Sequence, residues 1–292
     1  MSGYLHPEYL VDTAWLAAHL GDADLRVYDC TTFLRPHPDP MVTYTVESGA
    51  ENYAAGHIPG AVFLDIQAEL SDPESKLRFT FPNAELFAAA VGARGLGDDA
   101  RVVLYSADNM QWATRVWWML RAFGFDRAAV LDGGLQKWRA EGRALSTDPA
   151  SYPPATFTPR PRPGLIAGRD AVLAALDDPG TVIVNALRRD LHSGESERHY
   201  GRPGRIPGSV CLPAGELLEA DDNTFLPAPE ARARFAAIGV DVDRPIITYC
   251  GGGIAVSLDA FVLAMLGAER IALYDNSMSE WARDPALPME TG

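Results

Sequence analysis

Cys250 closes a short apolar run, Pro245-Ile-Ile-Thr-Tyr249, and is followed by Gly251-Gly252-Gly253 and then by a stretch of helical character. In that order of strand, cysteine, glycine loop and helix, several backbone N–H groups are aimed at one sulfur. Unpaired amides and a helix N-terminus both stabilise an anion, so a Cys250 thiolate is expected near neutral pH. The glycines matter because chain without Cβ atoms can curl until successive N–H groups converge. Such a loop has no packing purpose, which separates Cys250 from Cys30 and Cys211; those two read as buried, structural cysteines.

Three chemistries use a loop of this kind. Phosphoryl transfer through a cysteine needs a cation for the phosphate, carried by an arginine at the position held here by Val256. No residue from Gly251 to Leu258 is basic, so that chemistry fails. Dinucleotide binding is imitated by Gly251-Gly252-Gly253-Ile254-Ala255-Val256, but the third glycine of G-x-G-x-x-G is missing. The third is transfer of sulfane sulfur. A thiolate attacks the outer sulfur of a donor and becomes a persulfide cradled by the loop amides, and an acceptor then removes that sulfur. This double displacement needs an activated thiol and anion-stabilising amides, and no metal or other cofactor. Cys250 and the amides of Gly251, Gly252, Gly253, Ile254 and Ala255 supply those parts.

An anionic donor also needs a guanidinium for its carboxylate or sulfonate. Arg188, Arg189, Arg198, Arg202 and Arg205 form a basic cluster in an otherwise acidic chain, and at least one of them is expected to anchor the donor. His57 follows a turn of the first half and is a further substrate-binding candidate. Asp132, Trp138 and Trp281 read as determinants of the fold.

The elements that must position these residues occur twice. Gly56-His-Ile-Pro-Gly-Ala61 recurs as Gly204-Arg-Ile-Pro-Gly-Ser209, Val102-Val-Leu-Tyr-Ser106 as Ile246-Ile-Thr-Tyr-Cys250, and Leu131 to Trp138 as Tyr274 to Trp281. Ordered matches at nearly constant offset indicate a duplicated unit. Ser106 stands where the second copy has Cys250 and is read as its silent counterpart. Short apolar runs at Leu25–Asp29, Arg101–Tyr105, Thr181–Val184 and Pro245–Tyr249 alternate with helical stretches, Trp112–Phe123 and Ile254–Gly267 among them. That alternation predicts an α/β fold for each half, with a mainly parallel sheet flanked by helices. Six prolines between Ser146 and Gly164 predict an extended connector rather than a packed element, which puts the domains at 1–157 and 158–292. The segment Thr31–Ala55, longer than its counterpart, is expected to be a loop packed on the partner domain.

Bulk properties exclude other classes. The 292 residues are 47% apolar and 22% charged, and the net charge of −14 repels nucleic acid. No apolar stretch is long enough to span a bilayer, and the first residues lack a signal-peptide pattern. An odd number of cysteines without zinc spacing fits a reducing, cytoplasmic setting and no metal site.

With these residues in place, the chain resembles the tandem-domain rhodaneses, the thiosulfate or 3-mercaptopyruvate sulfurtransferases, over about Val11 to Glu290. The paired Ile-Pro-Gly motifs, Arg115-Val-Trp-Trp-Met119, Val130-Leu-Asp-Gly-Gly134 with Trp138, and Asp275 to Trp281 with Leu287-Pro-Met-Glu290 carry the likeness. The resemblance implies two tandem rhodanese-like domains, a silent first and a catalytic second, with an active loop running from Cys250 to Ala255. It implies a small anionic sulfur donor and an acceptor that is cyanide or a thiol, a thioredoxin-like protein among the candidates. Thiosulfate-type loops resemble C-R-K-G-V-T and mercaptopyruvate-type loops C-G-S-G-V-T; this one is C-G-G-G-I-A and is nearer the second in charge and glycine content. The family's donor-binding arginine follows a V-D-x strand, and here Val184-Asn185-Ala186 is followed by Leu187 and then Arg188 and Arg189. The rival readings are a rhodanese-like binding or scaffold module without activity, and a thiol sensor with Cys211 as resolving cysteine.

Overall fold

The computed structural model describes residues 3–39 and 42–292. In the first half the strands are β1 (Leu10–Val11), β2 (Leu25–Asp29), β3 (Thr32–Arg35), β4 (Thr45–Ser48), β5 (Val62–Phe63), β6 (Arg101–Tyr105) and β7 (Ala128–Leu131). The second half contributes β8 (Ile166–Ala167), β9 (Val182–Asn185), β10 (Val210–Cys211), β11 (Ile246–Tyr249) and β12 (Ile271–Tyr274). Two five-stranded parallel sheets result, in the orders β1-β7-β6-β2-β5 and β8-β12-β11-β9-β10. The order is the same in each, so the sequence repeat is a structural one. The central runs are mostly apolar because helices cover both faces of a parallel sheet.

Individual hydrogen bonds repeat as well. The Tyr105 hydroxyl accepts from the Ile58 N–H at 3.2 Å, and the Tyr249 hydroxyl from the Ile206 N–H at 3.1 Å. Each bond fastens an Ile-Pro-Gly turn beneath the central strand. Trp138 Nε1 donates to the Ala144 carbonyl and Trp281 Nε1 to the Pro288 carbonyl, both at 2.8 Å. A buried indole needs such an acceptor, and these two tie down the chain after each closing helix.

The halves share one apolar core. The helix Gln111–Ala122 packs against the helix Val256–Met265, every residue of which is buried. Phe261 meets Trp117 edge-on with ring centroids 4.8 Å apart. Side chains of that size each contribute about 1.5–3 kcal/mol by burial, so the contact is a core rather than a hinge. Matched polar bonds cross it. Thr114 Oγ1 lies 2.9 Å from Ser257 Oγ, Asp132 Oδ1 accepts from the Phe225 N–H at 2.8 Å, and Asp275 Oδ2 accepts from the Phe81 N–H at 2.7 Å.

Two expectations change. The segment Thr31–Ala55 is not a loop alone: β3 and β4 pair antiparallel, and the helix Ala50–Ala55 follows. The proline-rich connector is extended, as its composition requires, but it is packed. The Ala155 N–H donates to the Gly92 carbonyl, Phe157 is buried, and a Cβ at Gly95 would stand 2.2 Å from that of Tyr152. Prolines supply no N–H to a ladder, yet their rings and the neighbouring aromatics still bury surface. Residues 4–6 reach the second half, where the Tyr4 hydroxyl donates to the Leu226 carbonyl and Leu5 N–H to that of Met265.

Candidate active site

Cys250 leaves the C-terminal end of β11, the edge of a parallel sheet where ligands bind. Its own N–H donates to Ser277 Oγ at 3.0 Å, and that hydroxyl donates on to the Tyr274 carbonyl at 2.6 Å. Four of the carbonyls from Cys250 to Ile254 are engaged, that of Gly252 being the exception among the described residues. Cys250 O accepts from the Met278 N–H, Gly251 O from the N–H and hydroxyl of Ser279, Gly253 O from Arg115 Nη1, and Ile254 O from Ser257. A trans peptide points its N–H opposite to its carbonyl, and no peptide here is cis. Each tied carbonyl therefore turns the N–H of the following residue away from that partner. The N–H groups of residues 251–256 have no acceptor among the described residues. Six successive unpaired amides beginning beside the cysteine form an anion cradle, continuous with the first turn of the helix Val256–Met265.

The loop is shaped by residues from both halves. Arg115 is fully buried, and its guanidinium lies 2.6 Å from Asp275 Oδ1 while donating to the Gly253 and Phe79 carbonyls. Gly253 has φ of +80°, and a Cβ there would stand 2.5 Å from the Asp275 carbonyl oxygen. Ser277 holds a φ of +50°, a conformation that costs about 1–3 kcal/mol and is sustained by its two bonds around Cys250. Two tyrosines cover the loop. Tyr200 lies so close that a Cβ at Gly251 would stand 2.0 Å from its hydroxyl, and Tyr44 arrives from the approach to β4 in the first half. Burial, reinforced by the neighbouring Cys250, pushes the Tyr44 hydroxyl up to about 12. Burial, then Tyr44 and Cys250, raise Tyr200 well above its ordinary range. Both remain hydrogen-bond donors at any ordinary pH. Beneath them Cys250 is 2% exposed.

Ala255, at the far end of the loop, lines a cleft of about 520 Å³ together with Arg188, Arg198, Tyr44 and Tyr200. Of the five arginines expected to serve a donor, these two reach the cleft. Arg188 is 68% exposed and pairs with Asp190 at 3.0 Å, while Arg198 donates to the Val42 and His37 carbonyls and has no carboxylate partner among the described residues. The other three are occupied elsewhere. Arg189 is paired with Glu216, Arg202 donates to four carbonyls between Trp281 and Leu287, and Arg205 is paired with Glu290. His57 is buried in the first half, stacked on Tyr53 at 3.8 Å and bonded to its carbonyl, and it lines neither the cleft nor the loop.

The Ser106 loop is closed on itself. Its hydroxyl donates to the Asn109 carbonyl at 2.5 Å, the Ala107 N–H donates to Thr31 Oγ1, and the Gln111 N–H to Asn109 Oδ1. Only the N–H groups of residues 108–110 lack an acceptor there, against six in succession beside Cys250. Burial pushes the Cys211 thiol up to about 11 and that of Cys30 well above its ordinary range, so neither is a nucleophile near neutral pH. All three cysteines are free. Among the described residues no cluster of three His, Cys, Asp or Glu could hold a metal ion, and no helix is long and apolar enough to cross a membrane.

Arg115, Asp275, Ser277, Ser279, Tyr44 and Tyr200 were not singled out as site residues from sequence. Arg115 and Asp275 carried motif signal, but a motif does not say which carbonyl a guanidinium grips. The tyrosines carried none, since contact between Tyr44 and a loop two hundred residues away exists only in the fold.

Comparison with known proteins gives one family. The rhodanese-like domain matches residues 12–141 and 170–284. A thiosulfate/3-mercaptopyruvate sulfurtransferase of Arabidopsis thaliana is 33% identical over 97% of this chain and 86% of its own length. A probable 3-mercaptopyruvate sulfurtransferase of Pseudomonas aeruginosa is 35% identical over 97% of this chain and 98% of its own. The crystal structure of the 3-mercaptopyruvate sulfurtransferase SseA from Escherichia coli superposes with a TM-score of 0.81 at 32% identity, covering 93% of this chain and 99% of that one.

Proposed function

The chain belongs to the rhodanese family, and from that premise we propose that it is a sulfurtransferase in which Cys250 carries the sulfur. The Cys250 thiolate attacks the sulfane sulfur of a small anionic donor. The bond from that sulfur to the rest of the donor breaks, its electron pair leaves with pyruvate enolate or sulfite, and a persulfide remains on Cys250. An acceptor thiolate or cyanide attacks the outer sulfur, the S–S bond breaks, and its electron pair returns to Cys250 as thiolate. The row of unpaired amides from Gly251 to Val256 is the observation that carries this reading, because it stabilises both the thiolate and the persulfide anion.

The donor we favour is 3-mercaptopyruvate. The loop holds no cation, so thiosulfate, with charge concentrated next to the reacting sulfur, meets no counter-charge there. Arg188 and Arg198 lie in the cleft at the Ala255 end, where a carboxylate remote from the sulfur can be held. We divide the chain into a silent unit, 1–157, and a catalytic unit, 158–292, and three free cysteines fit a reducing cytoplasm. The acceptor is a thiol or cyanide, and a thioredoxin-like protein thiol fits the same chemistry.

Steady-state assays with each donor test this. Cys250→Ser abolishes turnover while the fold, followed by circular dichroism, is unchanged. Arg188→Ala and Arg198→Ala each raise KM for 3-mercaptopyruvate by about tenfold or more, equivalent to about 1.4 kcal/mol. Turnover retained in Cys250→Ser, or a higher kcat/KM with thiosulfate than with 3-mercaptopyruvate, contradicts the mechanism or the donor respectively.

A further inference from the structure

A second cleft lies against residues that brace the same loop, Ser279 among them, whose hydroxyl donates to the Gly251 carbonyl. It encloses about 210 Å³ and is lined by Lys76, Arg78, Arg283, Ser279, Tyr44 and Tyr200 among others. The two tyrosines are common to both clefts and form the wall between them. A Cβ at Gly252 would stand 3.4 Å from Ser279 Oγ and 3.8 Å from the Tyr44 hydroxyl, so Gly252 lies against two residues that line the smaller cleft, while Ala255 itself lines the larger. The Ala255 end of the active loop thus opens on the larger chamber, and its glycine end is packed on the Tyr44, Tyr200 and Ser279 side chains that line the smaller one.

The charge of the smaller chamber is out of keeping with the molecule. In a chain of net charge −14, three cations converge on it from two distant parts of the sequence, Lys76 and Arg78 from one and Arg283 from the other. None of the three has a carboxylate in ion-pair contact among the described residues. Arg78 instead donates to the Tyr44 carbonyl at 2.8 Å and Arg283 to the Tyr200 carbonyl at 3.4 Å, each leaving further N–H groups free. Unneutralised cations grouped in a small concavity raise the local concentration of anions.

Double displacement needs a donor and an acceptor to reach one sulfur in turn. We propose that the Lys76–Arg78–Arg283 chamber admits the sulfur acceptor, and that it selects acceptors bearing an oxyanion group beside the nucleophilic sulfur: a carboxylate-bearing thiol, or sulfite. This rests on the sulfurtransferase reading above. The acceptor sulfur attacks the outer sulfur of the Cys250 persulfide, the bond to Cys250 breaks, and the products are a new persulfide, or thiosulfate from sulfite, and the free thiolate.

The test separates the two half-reactions. The full chain is loaded with 3-mercaptopyruvate, freed of donor by gel filtration, and its persulfide followed by intact mass after adding mercaptosuccinate, sulfite or 2-mercaptoethanol. In the Lys76→Ala/Arg283→Ala variant, whose two altered side chains are exposed in the native protein, discharge by mercaptosuccinate and by sulfite is slowed about tenfold or more. Discharge by 2-mercaptoethanol changes less than about twofold, and added salt slows the anionic acceptors in the native protein alone. Equal slowing of neutral and anionic acceptors overturns the proposal, as does a loss confined to loading, which would give the chamber to the donor. Loss with mercaptosuccinate alone, or with sulfite alone, narrows the acceptor to that source. A native protein that never loads from 3-mercaptopyruvate, thiosulfate or polysulfide overturns the sulfurtransferase reading itself, a result distinct from a protein that loads and then discharges without regard to charge.

Discussion

The three successive glycines look alike in sequence and do different things. At Gly251 a Cβ would collide with the Tyr200 hydroxyl at 2.0 Å, the end of a side chain that can be removed. At Gly252 the nearest atom, Ser279 Oγ, stands 3.4 Å away, an ordinary contact. At Gly253 the obstacle is the Asp275 backbone at 2.5 Å, and φ is +80° besides. Gly252→Ala is therefore expected to keep activity within about threefold, Gly251→Ala to lose about tenfold or more and to regain part of it with Tyr200→Ala, and Gly253→Ala to lose activity without rescue. Stopped-flow loading rates for the four variants check the order; a Gly253→Ala protein as active as the Gly252→Ala one would contradict the loop geometry. Sequence made Cys250 and the glycine run legible because their types are rare together. It could not rank the glycines, since the colliding atoms lie fifty residues upstream and about twenty-five downstream.

Strands and helices were legible because apolar runs of strand length alternate with longer buried ones, and Gly124 and Gly267 mark where the two interface helices stop. The β3–β4 hairpin was missed. Pro36, Pro38 and Pro40 sit between its strands and mask the β-branched pattern of Thr43-Tyr-Thr-Val46. The larger omission was the helix Gln111–Ala122 as a part of the active site. It carries no reactive group, but its Arg115 holds Gly253 O and neutralises Asp275. Removing one partner of a buried pair leaves the other charge stranded, at a cost of about 3–5 kcal/mol. Arg115→Leu is expected to lower the urea midpoint by a corresponding amount and to slow persulfide formation in whatever fraction remains folded. An unchanged midpoint would mean the pair is not maintained in solution.

Across the whole molecule the duplicated halves face each other through matched bonds, and the match fails at one informative place. Asp275 and Asp132 occupy equivalent positions and each accepts an N–H from the opposite half. Asp275 has Arg115 beside it, whereas the position equivalent to Arg115 in the second copy is Leu258. Asp132 lacks that counter-charge, and burial lifts its carboxyl to about 6. The folded chain thus keeps a proton that the unfolded chain releases near pH 4. The stability it contributes is complete below pH 4, is lost as pH rises to about 6, and stays lost above. Asp132→Asn retains the acceptor for the Phe225 N–H without the titration, so its advantage over the native protein should grow from pH 4 to pH 6 and reach about 1–3 kcal/mol at pH 7. Melting temperatures across that range check it; a constant difference contradicts it. The repeat made two similar halves legible but not the surface through which they pack, and the convergence of Lys76, Arg78 and Arg283 follows only from that packing. The most direct test of the account is the intact mass of the protein after incubation with 3-mercaptopyruvate. The account predicts a gain of about 32 Da, one sulfur, that disappears on adding cyanide and is absent from Cys250→Ser. A gain of the same size in Cys250→Ser, or no gain in the native protein with any donor, would contradict the assignment of Cys250 as the atom through which sulfur passes.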